Sequence, residues 1–164
     1  MNLSPAAIAL AEEAQGIQEH PWASNAGVPS ERYQRGVRAV PWCSYFVMWC
    51  YDEAGWRCLY DNKTPEWDKP NVRVPRDFYM MAAARTLMDT WTERGHGVGR
   101  FAGLPQPSDI ICMKRYGGSG VHVGIVTKCA GGMVEHVDGN LGHRVAMDAH
   151  SLDDELVLGY LRFR

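Results

Sequence analysis

Cys43 and His122 are the residues of this sequence whose types and positions could together carry out nucleophilic catalysis. Cys43 lies near the start of an apolar segment that ends at Gly55, a composition that predicts a buried helix. The unpaired N–H groups and positive dipole end of a helix N-terminus favour an anion, and a thiolate is the reactive form of cysteine. Cys43 is therefore the predicted nucleophile. The alternative, a cysteine that only fills the core, fits Cys50 better because Cys50 lies two turns deeper.

His122 is the predicted general base for this nucleophile. It stands at the head of a β-prone run, and the next such run ends near the polar residues Asp138 and Asn140. A histidine whose second ring nitrogen is held by a polar side chain is the arrangement of Cys-His-Asp and Cys-His-Asn enzymes. A single histidine at a strand end is more often a surface residue. The prediction therefore depends on the combination of these residues.

The hairpin predicted between the two runs determines which polar residue lies beside His122. If its loop is the three residues 130–132, Asn140 lies opposite His122 and Asp138 lies opposite Gly124. Residues two apart share a face of a strand, so these polar side chains would point the same way, and Gly124 would leave room there for a neighbour or substrate. A two-residue loop would break this alignment. We predict that Asn140 orients His122 and that Asp138 forms a second polar wall of the site.

Three further residues are expected to contact the substrate. Trp42, beside the nucleophile, could stack on sugar or peptide, although core packing is the alternative for any large aromatic residue. Ser44 follows the nucleophile, and His136 shares the predicted face with Asp138. The candidate substrate-binding set is therefore Trp42, Ser44 and His136.

A metal site formed by His122, His136 and Asp138 is a weaker alternative to thiolate chemistry. The sequence has no HExxH pattern and no general-base carboxylate at a recognised spacing from these residues. We therefore expect no cofactor. The remaining histidines in loop-like surroundings are predicted to be solvated, and these are His20, His96 and His150.

Local patterns place helices before strands along the chain. Ser4 followed by Pro5 predicts the start of the first helix, because serine caps a helix and proline suits its first position. Helices are predicted at about residues 4–16, 30–36, 41–55 and 77–94, and strands at 110–114, 121–128, 133–138, 144–147 and 156–163. Helices followed by an antiparallel sheet predict an α+β fold, here a single domain over residues 1–164.

Composition argues against several functional classes. The 164 residues carry 17 basic and 19 acidic side chains and a net charge of −2, which is not the charge of a nucleic-acid binder. No run of 18 apolar residues and no secretory signal is found, so we expect a protein made in the cytoplasm without membrane contact. The five cysteines show no CxxC spacing, which predicts reduced thiols. A monomer is expected.

The assembled motifs resemble the CHAP family of cysteine amidases and peptidases, within the NlpC/P60-like superfamily. The matching segments occur in family order: ALAEEAQGI at 9–17, PWCSYFVMWC at 41–50, AG at 54–55, PSDII at 107–111, HVGIV at 122–126 and DGN at 138–140. The resemblance implies a papain-like α+β fold. It also implies attack by the Cys43 thiolate, with His122 as base, on an amide of peptidoglycan, as an N-acetylmuramoyl-L-alanine amidase or an endopeptidase.

The resemblance leaves the third catalytic residue open. Family members commonly have Glu-Gly-Asn where this chain has Asp138, Gly139 and Asn140. Asn140 therefore matches the motif directly, whereas the Asp138 side chain is one methylene shorter than the usual glutamate. Some members bind calcium through acidic residues before the cysteine, but residues 32–42 contain none, so no calcium is expected there. Residues 57–103 match no motif and are predicted to determine substrate selectivity.

Several biological roles fit this resemblance. A phage endolysin is the main prediction; a virion-associated lysin or an injected antibacterial toxin, which would have an immunity protein as partner, would use the same chemistry. Each would act on peptidoglycan in the periplasm or cell wall after release or injection. A non-catalytic binding or structural module with the same fold and a cysteine peptidase acting on proteins are the alternatives.

Overall fold

The computed structural model describes residues 3–34, 40–55, 97–99, 103–115 and 120–162, and within these ranges three helices are followed by a six-stranded sheet. The helices are α1 (Pro5–Ala14), α2 (Val28–Arg32) and α3 (Cys43–Glu53). The strands are β1 (Gly97–Gly99), β2 (Ile110–Lys114), β3 (Val121–Ala130), β4 (Met133–Leu141), β5 (Arg144–Ser151) and β6 (Val157–Leu161). The predicted α+β fold is confirmed.

Helix α1 begins as its sequence predicts. The Ser4 hydroxyl accepts a hydrogen bond from the Ala7 N–H at 3.2 Å, and Pro5 occupies the first turn. The helix buries Glu12 as well as its apolar face, and the Glu12 carboxylate accepts from Arg32 at 2.7 Å and from the Tyr33 hydroxyl at 2.6 Å. These two bonds satisfy a buried charge and attach the end of α2 to α1.

Helix α3 packs closely against β4. Its buried residues include Phe46, Val47 and Met48, and the side chain of Trp42, at the N-cap position, makes no capping hydrogen bond. The close approach needs Gly139, because a Cβ there would lie 2.8 Å from Phe46 Cγ and 2.9 Å from the Trp42 ring. The glycine between Asp138 and Asn140 is therefore a packing requirement of the helix that carries Cys43.

The sheet is antiparallel throughout, with strand order β1-β6-β2-β3-β4-β5. The predicted bounds of β2 are confirmed, β3, β4 and β5 run two to four residues further than predicted, and β6 is shorter. Strand β1 lies outside the strands predicted from the sequence. Its two glycines, Gly97 and Gly99, have little β-propensity, so only pairing with β6 makes it a strand.

The β3–β4 hairpin differs from its predicted form in two ways that cancel. Ala130 pairs with Met133, so the loop has only two residues, Gly131 and Gly132. Both glycines have positive φ. The register then shifts by one residue at the irregularity between Val126 and Lys128. Gly124 consequently lies opposite Asp138, as predicted from a three-residue loop that the structure does not have.

Both faces of the sheet bury apolar side chains. Ile110 and Cys112 of β2 join the core beneath α1 and α3, whereas Ile111 and Met113 join a second cluster with Val134 and its neighbours. Burial on both faces explains why β2 has a continuous apolar sequence instead of an alternating one.

Part of the sequence-based prediction falls outside the described ranges. The predicted helix at 77–94 lies there, as does the proposed selectivity segment 57–103 apart from residues 97–99 and 103. Within the part of the chain that the structure describes, no helix is long and apolar enough to cross a membrane.

Gly139→Ala should destabilise the protein, because its methyl group would overlap Phe46 and Trp42. We expect the free energy of unfolding in urea to fall by about 1–3 kcal/mol. Gly120→Ala is the matched control, since its Cβ would meet Arg115 side-chain atoms at an ordinary 3.7 Å. Equal stability of the two variants would contradict the tight contact between α3 and β4.

Candidate active site

Cys43 is the first residue of α3, which places its thiol at the N-terminal end of the helix. The residue is 8% exposed, so the thiol is nearly enclosed but not sealed. The side chain of Trp42, at the N-cap position, makes no capping hydrogen bond to the first-turn N–H groups, and its indole N–H donates to Glu19. This position favours the thiolate form of Cys43.

His122 stands near the start of β3 and faces both Cys43 and Asp138. Its Nε2 lies 2.9 Å from Asp138 Oδ2, and its ring interacts with the Cys43 thiol. Since Asp138 engages Nε2, Nδ1 is the nitrogen that remains for the thiol. The structure therefore brings a thiol, an imidazole and a carboxylate into one chain of contacts.

Asp138 is fully buried and uses both of its oxygens. Oδ2 contacts His122, and Oδ1 lies 2.6 Å from Nδ1 of His136. The carboxylate occupies the space that Gly124 leaves open across the hairpin, because a Cβ on Gly124 would overlap Asp138 Oδ1. The prediction that Gly124 makes room for a neighbour is confirmed, and the neighbour is Asp138.

The pKa values of these groups favour a thiolate–imidazolium pair. Burial acts to raise the pKa of Cys43, but the hydrogen bond and positive charge of His122 and the N–H of Val123 outweigh it, so that pKa is lowered. Burial acts to lower the pKa of His122, but its contacts with Asp138 and Cys43 raise that pKa to about 10. Burial would raise the pKa of Asp138, yet the two histidines hold it at about 2.

Asn140 does not contact His122, contrary to our prediction. It has a φ of 62°, and the β4–β5 register is interrupted between Asp138 and Leu141, so its side chain leaves the His122 face. When its amide nitrogen donates to Glu19 at 3.2 Å, its oxygen accepts from the backbone N–H of Trp42 at 3.2 Å. Asn140 therefore supports the start of α3, and Asp138 is the residue that contacts His122.

Two residues predicted to contact substrate are buried at the start of α3. Trp42 is 0% exposed, stacks on Tyr33 and donates from its indole N–H to Glu19 at 2.8 Å. Ser44 is also 0% exposed, and its hydroxyl lies 4.0 Å from Cys43 Sγ. Trp42 thus follows the core alternative, because a buried carboxylate partner satisfies its N–H.

His136, the third predicted substrate contact, is likewise fully buried. Its ring stacks on His150 with centroids 5.3 Å apart and an interplanar angle of 9°. The metal alternative of His122, His136 and Asp138 is not supported, because the Asp138 oxygens bridge the two rings by hydrogen bonds.

His150 was predicted to be solvated, but it lies on β5 and is 5% exposed. Together with His136 and Asp148 it offers ligand atoms that all lie within 4.8 Å of one another, so these residues could hold a metal ion. The alternation of Asp148 and His150 along a β-prone segment is the sequence signal that could have indicated this group.

A cleft of about 240 Å³ gives His122 access to solvent. Its lining contains titratable residues that the sequence analysis did not single out for the site. The charged and titratable lining residues are His122, Asp138, His143, Asp148, His150, Lys114 and Arg115.

Comparison with known proteins connects this site to a family. No curated protein gives a significant match to the chain. The family model described as CHAP domain matches residues 33–140, a segment that includes Cys43, His122 and Asp138 and covers more than half of the chain. Families of this kind are typically hydrolytic, acting as cysteine amidases or peptidases. By this match and by its α+β fold, the chain belongs to the CHAP domain family.

Proposed function

We propose that this protein cleaves an amide bond in the peptide part of peptidoglycan, with Cys43 as nucleophile, His122 as acid and base, and Asp138 as the residue that positions His122. The observation that carries this proposal is the contact of His122 Nε2 with the buried Asp138 carboxylate, while the other side of the ring interacts with Cys43. Membership of the CHAP family supports peptidoglycan as the substrate.

The proposed reaction begins with attack of the Cys43 thiolate on the amide carbonyl carbon. First-turn N–H groups of α3 would stabilise the negative charge that develops on the carbonyl oxygen. The C–N bond then breaks, and His122 gives its proton to the leaving amine, which leaves a thioester on Cys43. A water molecule loses a proton to His122 and attacks the thioester carbon, and the C–S bond breaks. The Cys43 thiolate is regenerated, and the carboxylic acid that leaves loses its proton to solvent.

Charge in the cleft supports a wall peptide as substrate. Lys114 and Arg115 are exposed side chains in the lining of the cleft that contains His122. The stem peptides of peptidoglycan carry free carboxylates, which these two cations can attract. Amidase and endopeptidase cleavage use the same chemistry, and mass analysis of the fragments released from purified sacculi distinguishes the two.

The biological role that we propose is lysis of a bacterial cell by a phage endolysin. A virion lysin or an injected toxin with an immunity protein would share this chemistry. Lysis of Gram-negative cells after export to the periplasm, and no lysis by a Cys43→Ser variant, would support wall degradation. Cleavage of unfolded proteins but not of sacculi would instead favour a peptidase that acts on proteins.

Cys43→Ser and His122→Ala should each abolish digestion of purified peptidoglycan. We expect losses of about 10³-fold or more, because nucleophile and base act as one unit. Dye release from labelled sacculi measures the rate, and circular dichroism verifies the fold. Cys112→Ser is the matched control and should retain activity, because this buried cysteine of β2 belongs to the core and not to the proposed site. Peptidoglycan digestion by a folded Cys43→Ser protein would overturn the mechanism and favour a reaction that does not use this thiol.

Asp138→Asn should narrow the pH profile of peptidoglycan hydrolysis. Removal of the negative charge lowers the pKa of His122 from about 10, so the alkaline limb should move to lower pH by at least about one unit. A less stable imidazolium also stabilises the Cys43 thiolate less, which raises the pKa of Cys43. The acid limb of the profile should therefore move to higher pH.

Asn140→Ala is the control for this profile, because Asn140 does not contact His122 and should leave both limbs in place. The experiment also tests our earlier choice of Asn140 as the orienting residue. An unchanged profile for Asp138→Asn together with a shifted profile for Asn140→Ala would restore that choice.

Iodoacetamide should label Cys43 in preference to Cys50. Both thiols are buried, but His122 lowers the pKa of Cys43, whereas burial raises the pKa of Cys50 well above its usual value. We therefore expect Cys43 to be modified at a lower pH than Cys50, followed by loss of activity, and peptide mass analysis identifies the site. In His122→Ala, labelling of Cys43 should require alkaline pH; labelling that is independent of His122 would contradict the ion pair.

A further inference from the structure

A second group of titratable side chains lies on β4 and β5, next to the proposed catalytic residues. His136 is directly opposite Asp148 in the β4–β5 register, and His150 lies two residues further along β5 on the same face. One ligand atom from each of the three lies within 4.8 Å of the others. The register, and not an accidental surface contact, places these residues together.

One ring nitrogen of His136 is buried without a hydrogen-bond partner in the described part of the chain. Its Nδ1 contacts Asp138, but its Nε2 is buried and has no hydrogen-bond partner among the residues that the structure describes. Buried polar atoms are almost always satisfied, so an unpartnered imidazole nitrogen indicates a missing partner. A metal ion is a common partner of a neutral imidazole nitrogen.

Both histidines are held in the way that metal-binding histidines are held. Nδ1 of His136 lies 2.6 Å from Asp138, and Nδ1 of His150 lies 2.8 Å from Asp154. A carboxylate on one ring nitrogen fixes the tautomer and leaves the other nitrogen as a ligand. For His150 that other nitrogen, Nε2, lies 3.8 Å from Oδ2 of Asp148.

We propose that His136, His150 and Asp148 bind a divalent transition-metal ion of the zinc class. Two imidazole nitrogens and one carboxylate oxygen suit Zn²⁺ and Co²⁺, and they leave a fourth position for water. Tetrahedral Zn²⁺ needs ligand atoms about 3.4 Å apart, so atoms that lie up to 4.8 Å apart must approach one another by as much as about 1.4 Å on binding. The side chain of Asp148 is 38% exposed and can make this movement.

The cleft supplies an entry path for the ion, because Asp148 and His150 both line it. Asp138 connects this site with the proposed catalytic residues, since its two oxygens contact His136 and His122. A metal on Nε2 of His136 would keep the proton of that ring on Nδ1, where it donates to Asp138. The proposed site therefore supports the carboxylate that positions His122.

Zn²⁺ titration of the full chain, after removal of metal with a chelator, tests this proposal by calorimetry. We expect one equivalent to bind, and Co²⁺ in its place to give the visible absorption of a tetrahedral site. Asp148→Asn and His150→Gln should each weaken binding by at least about 10-fold, and the double variant should bind no stoichiometric ion. Saturating Zn²⁺ should raise the unfolding temperature of the unsubstituted chain but not of the double variant.

Matched controls separate this site from other ligands and from the proposed hydrolysis. His20→Gln and Glu155→Gln change an exposed histidine and an exposed carboxylate, and both variants should bind Zn²⁺ normally. Cys43→Ser should also bind normally, because the site does not use the thiol, whether or not the chain is a hydrolase. Absence of a bound equivalent, binding retained by the double variant, or binding lost in Cys43→Ser would each overturn the proposal.

Circular dichroism and the unfolding temperature without metal verify that each variant is folded. If His150→Gln does not fold, Asp148→Asn decides the outcome, because its side chain is partly exposed and its substitution preserves size. Unweakened Zn²⁺ binding by folded Asp148→Asn would then count against the site.

Discussion

The buried carboxylate of Asp138 is the group on which the arrangement of this site depends. An unpaired carboxylate in the protein interior would be strongly unfavourable, and here two histidine rings, His122 and His136, satisfy its two oxygens. The space for it exists only because Gly124 lies opposite. The hairpin register must therefore be correct to the residue, since a slip by one position would turn Asp138 to the other face.

The start of α3 is held by tertiary contacts instead of a capping side chain. Glu19 accepts from the Trp42 indole, Asn140 lies beside the Trp42 backbone, and Gly139 lets the helix approach β4. A capping side chain would occupy first-turn N–H groups. Because the Trp42 side chain makes no such bond, the first-turn N–H groups can stabilise a thiolate or an oxyanion. Structural support of the helix and its proposed chemistry therefore do not compete for the same groups.

The two sites that we propose share one strand. His136 and Asp138 lie two residues apart on β4. Each histidine contact of Asp138 leads to a different group: His122 and Cys43 in one direction, His150 and Asp148 in the other. In such a connected polar network every member must be satisfied, so it is informative that Nε2 of His136 has no hydrogen-bond partner within the described ranges. A change at either site should therefore alter the hydrogen bonds of the Asp138 carboxylate, which lies between them.

The sequence by itself determined the helix that begins at Cys43, the strand that carries His122 and the family, because caps, apolar runs and short motifs are local signals. Only the tertiary structure decided which residue contacts His122. The choice of Asp138 over Asn140 depends on the positive φ at Asn140 and on the interruption of the β4–β5 register between Asp138 and Leu141, and neither has a local sequence signature strong enough to predict it. Burial of Trp42 and His136 likewise depends on partners distant in sequence, such as Glu19, whose positions are known only once the chain has folded.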